Sequence, residues 1–350
     1  MQPDKQIQIV FFADTHLGFD YPIRPKVERR RRGQDFFDNY QRVLSYALES
    51  KADLLVHGGD LFFRSRLPKK IIDLAYGPLI QFADNNIPVF LVPGNHERSN
   101  LPTSLFLNHP YIHVFDRAQT IAINVKGAEI AISGFPFERD DIRNRFQNML
   151  EATEWKKAAA DIKLLCMHQI VEGAQVGSSN YTFRHGKDVI RLSHLPQDFY
   201  AVLAGHIHRQ QILSRSTEDN AVRMPIIYPG STERTSFAEK GEKKGFFEIV
   251  FCSCNDGGWH IEDMRFIELP TRPMEDIYLT SELRVRDVRS FLQSKISCFD
   301  LDSIVRIQCD RHTDDGVRKM LTGSFLRDVF PRTMNVQFSS YWSRPTGENR

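Results

Sequence analysis

Short apolar runs that stop on a glycine, a carboxylate or an imidazole constrain this chain more than any other feature. In Leu54-Leu55-Val56-His57-Gly58-Gly59-Asp60 the aliphatic residues read as a strand covered on both faces. Gly58 and Gly59 let the backbone turn and approach a ligand closely. Asp60 is then delivered to the carboxyl end of the strand, where open α/β sheets place their sites. The pattern recurs. Ile9-Val10-Phe11-Phe12 leads into Asp14-Thr15-His16, and the run from Ile87 to Val92 leads into Gly94-Asn95-His96-Glu97. Ile162 to Met167 leads into His168, and Tyr200 to Ala204 into Gly205-His206-Ile207-His208.

The 350 residues suffice for one large domain and a smaller one. With 41% hydrophobic and 26% charged residues the composition is that of a soluble globular protein. The polar start Met1 to Ile7 lacks a basic region followed by an apolar core, so no signal peptide is read. No apolar run reaches the ~20 residues of a membrane-spanning helix. The five cysteines are an odd number without zinc-finger spacing, Cys252 and Cys254 read as strand residues, and the expected location is the cytoplasm, nucleoid-associated if the source is bacterial. A net charge of +2 leaves any affinity for nucleic acid to local patches.

Hydrophobic periodicity predicts helices over about Gln34 to Ser50 and from Pro68 onward, the second with Ile71, Ile72, Leu74, Ala75, Leu79 and Phe82 as its buried face. Thr120 to Val125 and Glu129 to Ser133 flank Lys126-Gly127-Ala128 as a hairpin. A charged helical stretch follows over about Arg139 to Ala160, and Glu172 to Leu195 is polar and irregular. Pro225 to Tyr228, Gly245 to Phe251 and Trp259 to Leu269 read as strands of a second sheet. Organisation breaks at Pro270 to Pro273. Beyond it the order is strand (Ile277 to Thr280), helix (Val285 to Ile296), strand (Ser303 to Cys309), helix (Asp315 to Phe330) and strand (Asn335 to Ser339), a compact βαβαβ module. The expected domains are 1–270 and 271–342, with a polar tail over 343–350.

Asp14, His16, Asp60, Asn95, His168, His206 and His208 form a donor set of imidazole nitrogens and carboxylate or amide oxygens, without thiolates. Such a set suits manganese, iron or zinc. It exceeds what one tetrahedral ion takes and fits two ions sharing a bridging group. In an extended strand Asp14 and His16, two apart, would point the same way and reach one metal. His206 and His208 would do likewise unless the chain turns there, in which case they diverge to different metals. Two ions about 3.5–4 Å apart clamp an in-line displacement at phosphorus, deprotonating a water and neutralising developing charge. His96, next to Asn95, can give a proton or a hydrogen bond to the leaving oxygen if it is not itself a ligand.

The motifs D-x-H, G-G-D, G-N-H-E, a strand-end His and G-H-x-H, in this order from about Ile7 to His208, resemble those of the calcineurin-like metallophosphoesterase superfamily. The resemblance implies an α/β fold of two β-sheets packed face to face with helices outside. It implies that Asp14, His16 and His208 hold one metal, that Asn95, His168 and His206 hold the other, and that Asp60 bridges them. The wording of Ala13-Asp14-Thr15-His16-Leu17-Gly18, Gly59-Asp60-Leu61-Phe62, Gly205-His206-Ile207-His208-Arg209 and Tyr228-Pro229-Gly230-Ser231-Thr232-Glu233-Arg234-Thr235 is similar to the SbcD-type DNA-repair nucleases. That implies manganese-dependent hydrolysis of phosphodiester bonds in DNA ends, single strands, flaps or hairpins, endonucleolytic or 3′–5′ exonucleolytic. It also implies a DNA-contacting cap at the βαβαβ module, an SbcC-type SMC-like ATPase partner and a homodimer.

Two departures stand out. Several members of that family carry a histidine three residues after the bridging aspartate that supports exonuclease action; here the position is Phe63. Such nucleases also continue past the cap into helices that grip the ATPase, whereas this sequence stops at Arg350 without an amphipathic pair, so either the sequence is truncated or the partnership differs. The basic run Arg24, Lys26, Arg29, Arg30, Arg31 and Arg32 is the candidate for contact with the phosphate backbone, against a reading as a solvated loop. His57 reads as structural, His109, His113, His194, His260 and His312 carry no motif, and His185, in the long loop before Tyr200, reads as an ordinary loop residue rather than a substrate contact. The alternative function is a phosphoesterase for a nucleotide, cyclic nucleotide or phosphoprotein.

Overall fold

The computed structural model describes residues 5–20, 31–102, 108–177, 179–215, 224–254 and 257–342. They fall into two compact units, one drawn from Met1–Phe19 and Gly33–Pro270, the other from Asp20–Arg32 and Thr271–Arg350.

The first unit is built on two six-stranded sheets. In spatial order the first runs Trp259–Glu268, Gly245–Ser253, Gln6–Phe12, Leu54–His57, Val89–Leu91, Ile112–Val114. The second runs Gln211–Arg215, Met224–Tyr228, Ala201–Ala204, Ile162–Met167, Ala128–Gly134, Gln119–Val125. The strands that feed the candidate site pair in parallel, Ile9 with Leu54 and Leu55 with Val89 in one sheet, Leu164 with Ala201 in the other. Side-chain alternation along them builds the layers. Ile7, Ile9 and Phe11 point into a core shared with Leu54, Val56, Ile130, Leu164 and Leu203, between the sheets. Val10 and Phe12 point the other way, onto the helices Gly33–Glu49 and Lys69–Ala83. On the far side, Leu165, Met167, Val202 and Ala204 meet Phe146 and Leu150 of the helix Ile142–Ala152. Each parallel strand is therefore buried on both faces, which is why its sequence is a continuous apolar run.

The second unit carries a three-stranded parallel sheet in the order Met274–Leu279, Ile304–Asp310, Asn335–Trp342. Ile277, Leu279, Val305, Ile307 and Cys309 pack on Val288, Leu292, Val317 and Leu326 from its helices. Buried Arg272 ties its strand-entry loops together, donating to Asp302 O at 2.6 Å and Thr333 O at 2.8 Å.

The structure corrects several expectations. The strands Gly245–Ser253 and Trp259–Glu268 extend the first sheet, beside Gln6–Phe12, rather than the second. Ile112–Val114 and Gln211–Arg215 are strands that the sequence pattern does not announce, the first because it is only three residues long, the second because it is an edge strand with a polar face. Leu74 is 43% exposed, one step off the stripe set by Ile71, Ala75, Leu79 and Phe82. The helical stretch over 315–330 is broken into Asp315–Met320 and Gly323–Val329, since the Thr322 hydroxyl accepts the Phe325 N–H and starts a new helix. Among the described residues no helix is long and apolar enough to cross a membrane.

Candidate metal centre

Loops from the carboxyl ends of both sheets of the first unit meet at one place. After the strands Gln6–Phe12 and Leu54–His57 stop, their loops stay zipped together: Asp14 N donates to Gly59 O at 2.9 Å, His16 N to Asp60 O at 3.0 Å and Leu17 N to Leu61 O at 2.8 Å. Asp14, His16, Asp60 and His206 have φ of 52°, 46°, 55° and 87°, the left-handed region that non-glycine residues seldom enter. Asp14 and His16 thus converge by a turned backbone and not by the pleat of an extended strand, as the sequence reading had it. His206 and His208 diverge for the same reason.

The sequence-predicted ligand side chains come together. Asp14, His16 and His208 offer donor atoms within 4.8 Å of one another, as do Asp14, Asp60 and His168, and His16, Asp60 and His96. Asn95 Oδ1 stands 2.8 Å from His206 Nδ1 and 3.1 Å from His168 Nε2. Asp60 Oδ2 stands 3.3 Å from His168 Nε2 and 4.0 Å from His16 Nε2, between the two groups.

This geometry leaves lone pairs facing one another. His168 gives its Nδ1 proton to Gly58 O at 2.8 Å, so its Nε2 presents a lone pair to Asn95, Asp60 and His206 Nδ1, the last at 3.3 Å. His16 Nε2 and His208 Nε2 face each other at 2.9 Å, while His16 Nδ1 is buried without a hydrogen-bond partner among the described residues. Protons or cations must fill these gaps, and divalent metal ions are suited to a donor set of this kind. The electrostatics agree. Burial pushes Asp14 up to about 6. Burial works against charge on Asp60 too, but His168, His16 and His96 hold its carboxyl well below the usual range. His168, although buried, is held up at about 9 by Asp60. Burial and His168 push His206 down to about 3. The residues present fit divalent metal ions.

His96 sits at the rim, 33% exposed, with Nε2 3.8 Å from Asp60 Oδ2. Its main-chain N–H donates to Asp60 Oδ1 at 2.9 Å, and Nδ1 lies 2.7 Å from the carbonyl oxygen of Phe63. With the Nδ1 proton given to that carbonyl, Nε2 is the atom aimed at the centre.

The sequence reading missed four contributors. Buried Glu97 accepts the N–H groups of Phe62 at 2.6 Å and Gly94 at 2.7 Å, stapling the Asp60 loop to the Asn95 loop; its place in G-N-H-E was the available signal. Phe137 brings its ring within 5.5 Å of His206 and 6.0 Å of His168, with no motif to announce it. Glu239 and Lys244 lie behind His208, hidden in a charged run that reads as solvated surface. Of the basic run, Arg24, Lys26, Arg29 and Arg30 lie outside the described residues. Arg31 donates to Asp20 O at 2.6 Å and Asp20 Oδ1 at 2.7 Å, and Arg32 is 9% exposed.

The calcineurin-like phosphoesterase family matches residues 7–210, a span that contains every one of these candidate ligands. The chain belongs to that family. This phosphoesterase is also 30% identical over 293 residues to the DNA double-strand break repair protein Mre11 of Methanocaldococcus jannaschii, covering 81% of this chain and 71% of that one. It is 25% identical to the proteins of the same name from Methanococcus maripaludis, over 69% of this chain and 62% of the relative, and Archaeoglobus fulgidus, over 79% and 62%. The phosphoesterase thus matches 62% to 71% of the length of these relatives. Its class is that of a metal-dependent hydrolase of phosphate esters.

Proposed function

We propose that this phosphoesterase is a two-metal DNA nuclease of the SbcD type. The observation that carries the reading is the meeting of two donor groups at Asp60, with His96 aimed at the same carboxylate from the exposed rim. Support for DNA comes from the relatives, which are named as DNA double-strand break repair proteins and match well beyond residues 7–210. Asp14, His16 and His208 would hold one ion, Asn95, His168 and His206 the other, and Asp60 both. Manganese suits this oxygen and imidazole set. When bound, the ions supply charge neutralisation and Lewis acidity toward a phosphodiester.

The protein's own share is positioning and proton supply. The left-handed turns at Asp14, His16 and Asp60 fix the donors before substrate arrives. Phe63 O commits the Nδ1 proton of His96, so a proton passed to a leaving oxygen comes from Nε2. The unit beginning at Thr271 serves as the DNA-contacting cap, and an SMC-like ATPase and a second copy of the chain are the partners in this reading.

The test is cleavage of labelled single-stranded, duplex and hairpin DNA with manganese, comparing wild type with Asp60→Asn and His96→Ala. Loss of cutting in both, with metal retained in His96→Ala, supports the nuclease. Hydrolysis of a small phosphodiester by a metal-loaded wild type that leaves all three DNAs intact assigns the site to a nucleotide, cyclic nucleotide or phosphoprotein instead.

A further inference from the structure

His208 is gripped at two points by residues outside the candidate ligand set. Its Nδ1 lies 3.2 Å from Glu239 Oε1, and its main-chain carbonyl accepts from Lys244 Nζ at 2.8 Å. The grips are joined, because Lys244 Nζ and Glu239 Oε2 form an ion pair at 2.6 Å. Lys244 is 0% exposed and Glu239 7%, so both charges are held away from water. A buried ion pair is weak ground for stability, since well-packed apolar residues often serve as well. Its attachment to one particular imidazole calls for another role.

The neighbouring histidines lack such a partner. His168 Nδ1 donates to a main-chain carbonyl, that of Gly58, and His16 Nδ1 has no hydrogen-bond partner among the described residues. Among the described residues of the cluster, His208 alone has a carboxylate behind its outward nitrogen. A carboxylate there fixes the tautomer, leaves Nε2 bare toward the centre and raises the basicity of the ring as a ligand. Glu239 is itself held still, accepting from Thr235 Oγ1 at 2.5 Å and Thr235 N at 3.3 Å. Lys244 balances its charge and is also tied to Glu242 Oε2 at 3.3 Å. His208 Nε2, the nitrogen this arrangement frees, faces His16 Nε2 at 2.9 Å and Asp14 Oδ1 at 3.8 Å.

We infer that Glu239 and Lys244 are a positioning pair that acts through His208 to strengthen the metal position of Asp14, His16 and His208 selectively over its neighbour. The inference holds whatever phosphodiester is cleaved. It makes the two positions unequal by construction: one receives an imidazole backed by a full carboxylate, the other an imidazole backed by a peptide carbonyl.

The test is calorimetric titration of the metal-free full chain with Mn²⁺, comparing wild type, Glu239→Gln and Ser231→Ala. Wild type shows two affinities. Glu239→Gln weakens one of them by about 10–100-fold, the usual effect of losing the partner behind a ligating histidine, and leaves the other in place. Ser231→Ala removes a hydroxyl that lies 3.3 Å from the same carboxylate on the side away from His208, and both affinities persist. Equal loss at both positions in Glu239→Gln, no loss at either, or the same loss in Ser231→Ala overturns the inference. A readout needing no variant is the ring proton of His208 in zinc-loaded wild type. A slowly exchanging, downfield Nδ1–H is expected, and its absence overturns the pairing with Glu239.

Discussion

His96 Nδ1 is oriented by the main chain of Phe63, whose carbonyl oxygen lies 2.7 Å away. The rim of the centre therefore holds His96 through a contact that mutation of residue 63 leaves in place. Replacing His96 by Ala should lower kcat by about 10²–10⁴-fold, the usual worth of a positioned general acid, with little change in KM. The metal content of the variant should match wild type, because Asp14, His16 and His208, and Asp14, Asp60 and His168, still come together without His96. Steady-state kinetics with metal analysis of the same samples decides it. A loss of one ion per chain would make His96 a ligand instead.

Phe63 tests how far substrate choice depends on the side chain at that rim. Its ring packs edge-on against Phe19 at 4.9 Å and His16 at 5.9 Å. Phe63→His keeps the carbonyl that holds His96, so cleavage of single strands should persist. The resemblance ties a histidine at this position to exonuclease action, so digestion of duplex ends should rise relative to single-strand cutting. The ratio of the two rates on labelled substrates is the measurement. An unchanged ratio would mean that duplex digestion is set elsewhere.

The reach of the sequence can be judged from particular residues. Asp14, His16, Asp60, Asn95, His168, His206 and His208 were legible because each terminates an apolar run, and a run buried on both faces cannot be mistaken for an amphipathic helix. The inward and outward alternation of Ile9, Val10, Phe11 and Phe12 was not legible, since both directions are apolar. Nor was the sheet joined by Gly245–Ser253, because an antiparallel strand records nothing of its distant neighbour in its own pattern. The turned backbone at Asp14 and His16 was hidden for another reason: neither is glycine, and positive φ there is sustained by the hydrogen bonds to Gly59, Asp60 and Leu61 rather than by local preference. Lys244 was the least visible of all, a buried cation in the run Glu239 to Lys244 that composition marks as surface.

The backbone at Gly94 lies close against the carboxylate of Asp60. A Cβ there would lie 2.1 Å from Asp60 Oδ1 and 2.4 Å from Asp60 N, and the Gly94 N–H is already taken by Glu97. Gly94→Ala has to displace one of the two loops that form the centre. It should cost about 1–3 kcal/mol, as overpacking does, and abolish tight binding of at least one ion. Gly77→Ala is the control, because its Cβ meets nothing within 4 Å in the helix Lys69–Ala83. That change should stabilise by about 0.5–1 kcal/mol through helix preference. Denaturant unfolding and metal titration of both variants give the comparison, and a Gly94→Ala protein with normal stability and binding would show that the loops have room.

Acid should act on the fold through His57, which lies beneath the centre without joining it. The ring is buried, accepts the Gly59 N–H at Nδ1 at 3.2 Å, and faces Thr15 Oγ1 with Nε2 at 3.1 Å. Thr15 Oγ1 gives its own proton to Leu61 O at 3.0 Å, so it accepts from Nε2 and the ring is neutral. Burial, helped by His168, pushes its pKa from 6.5 down to about 3. A folded-state pKa below the unfolded value means that the unfolded chain takes up the proton first. The contribution of His57 to stability is therefore complete above pH 6.5 and is lost as pH falls toward 3, to a ceiling of roughly 4–5 kcal/mol at 1.36 kcal/mol per unit. His57→Asn can still accept from Gly59 but carries no titratable group. At pH 7.5 it should be less stable by about 1–2 kcal/mol for the lost contact with Thr15. Between pH 6.5 and 4 its stability should fall less steeply than that of wild type, by up to one proton in the slope. Denaturant unfolding of the metal-free proteins across that range measures both slopes. Equal slopes would place the acid sensitivity in the histidines of the centre rather than in His57.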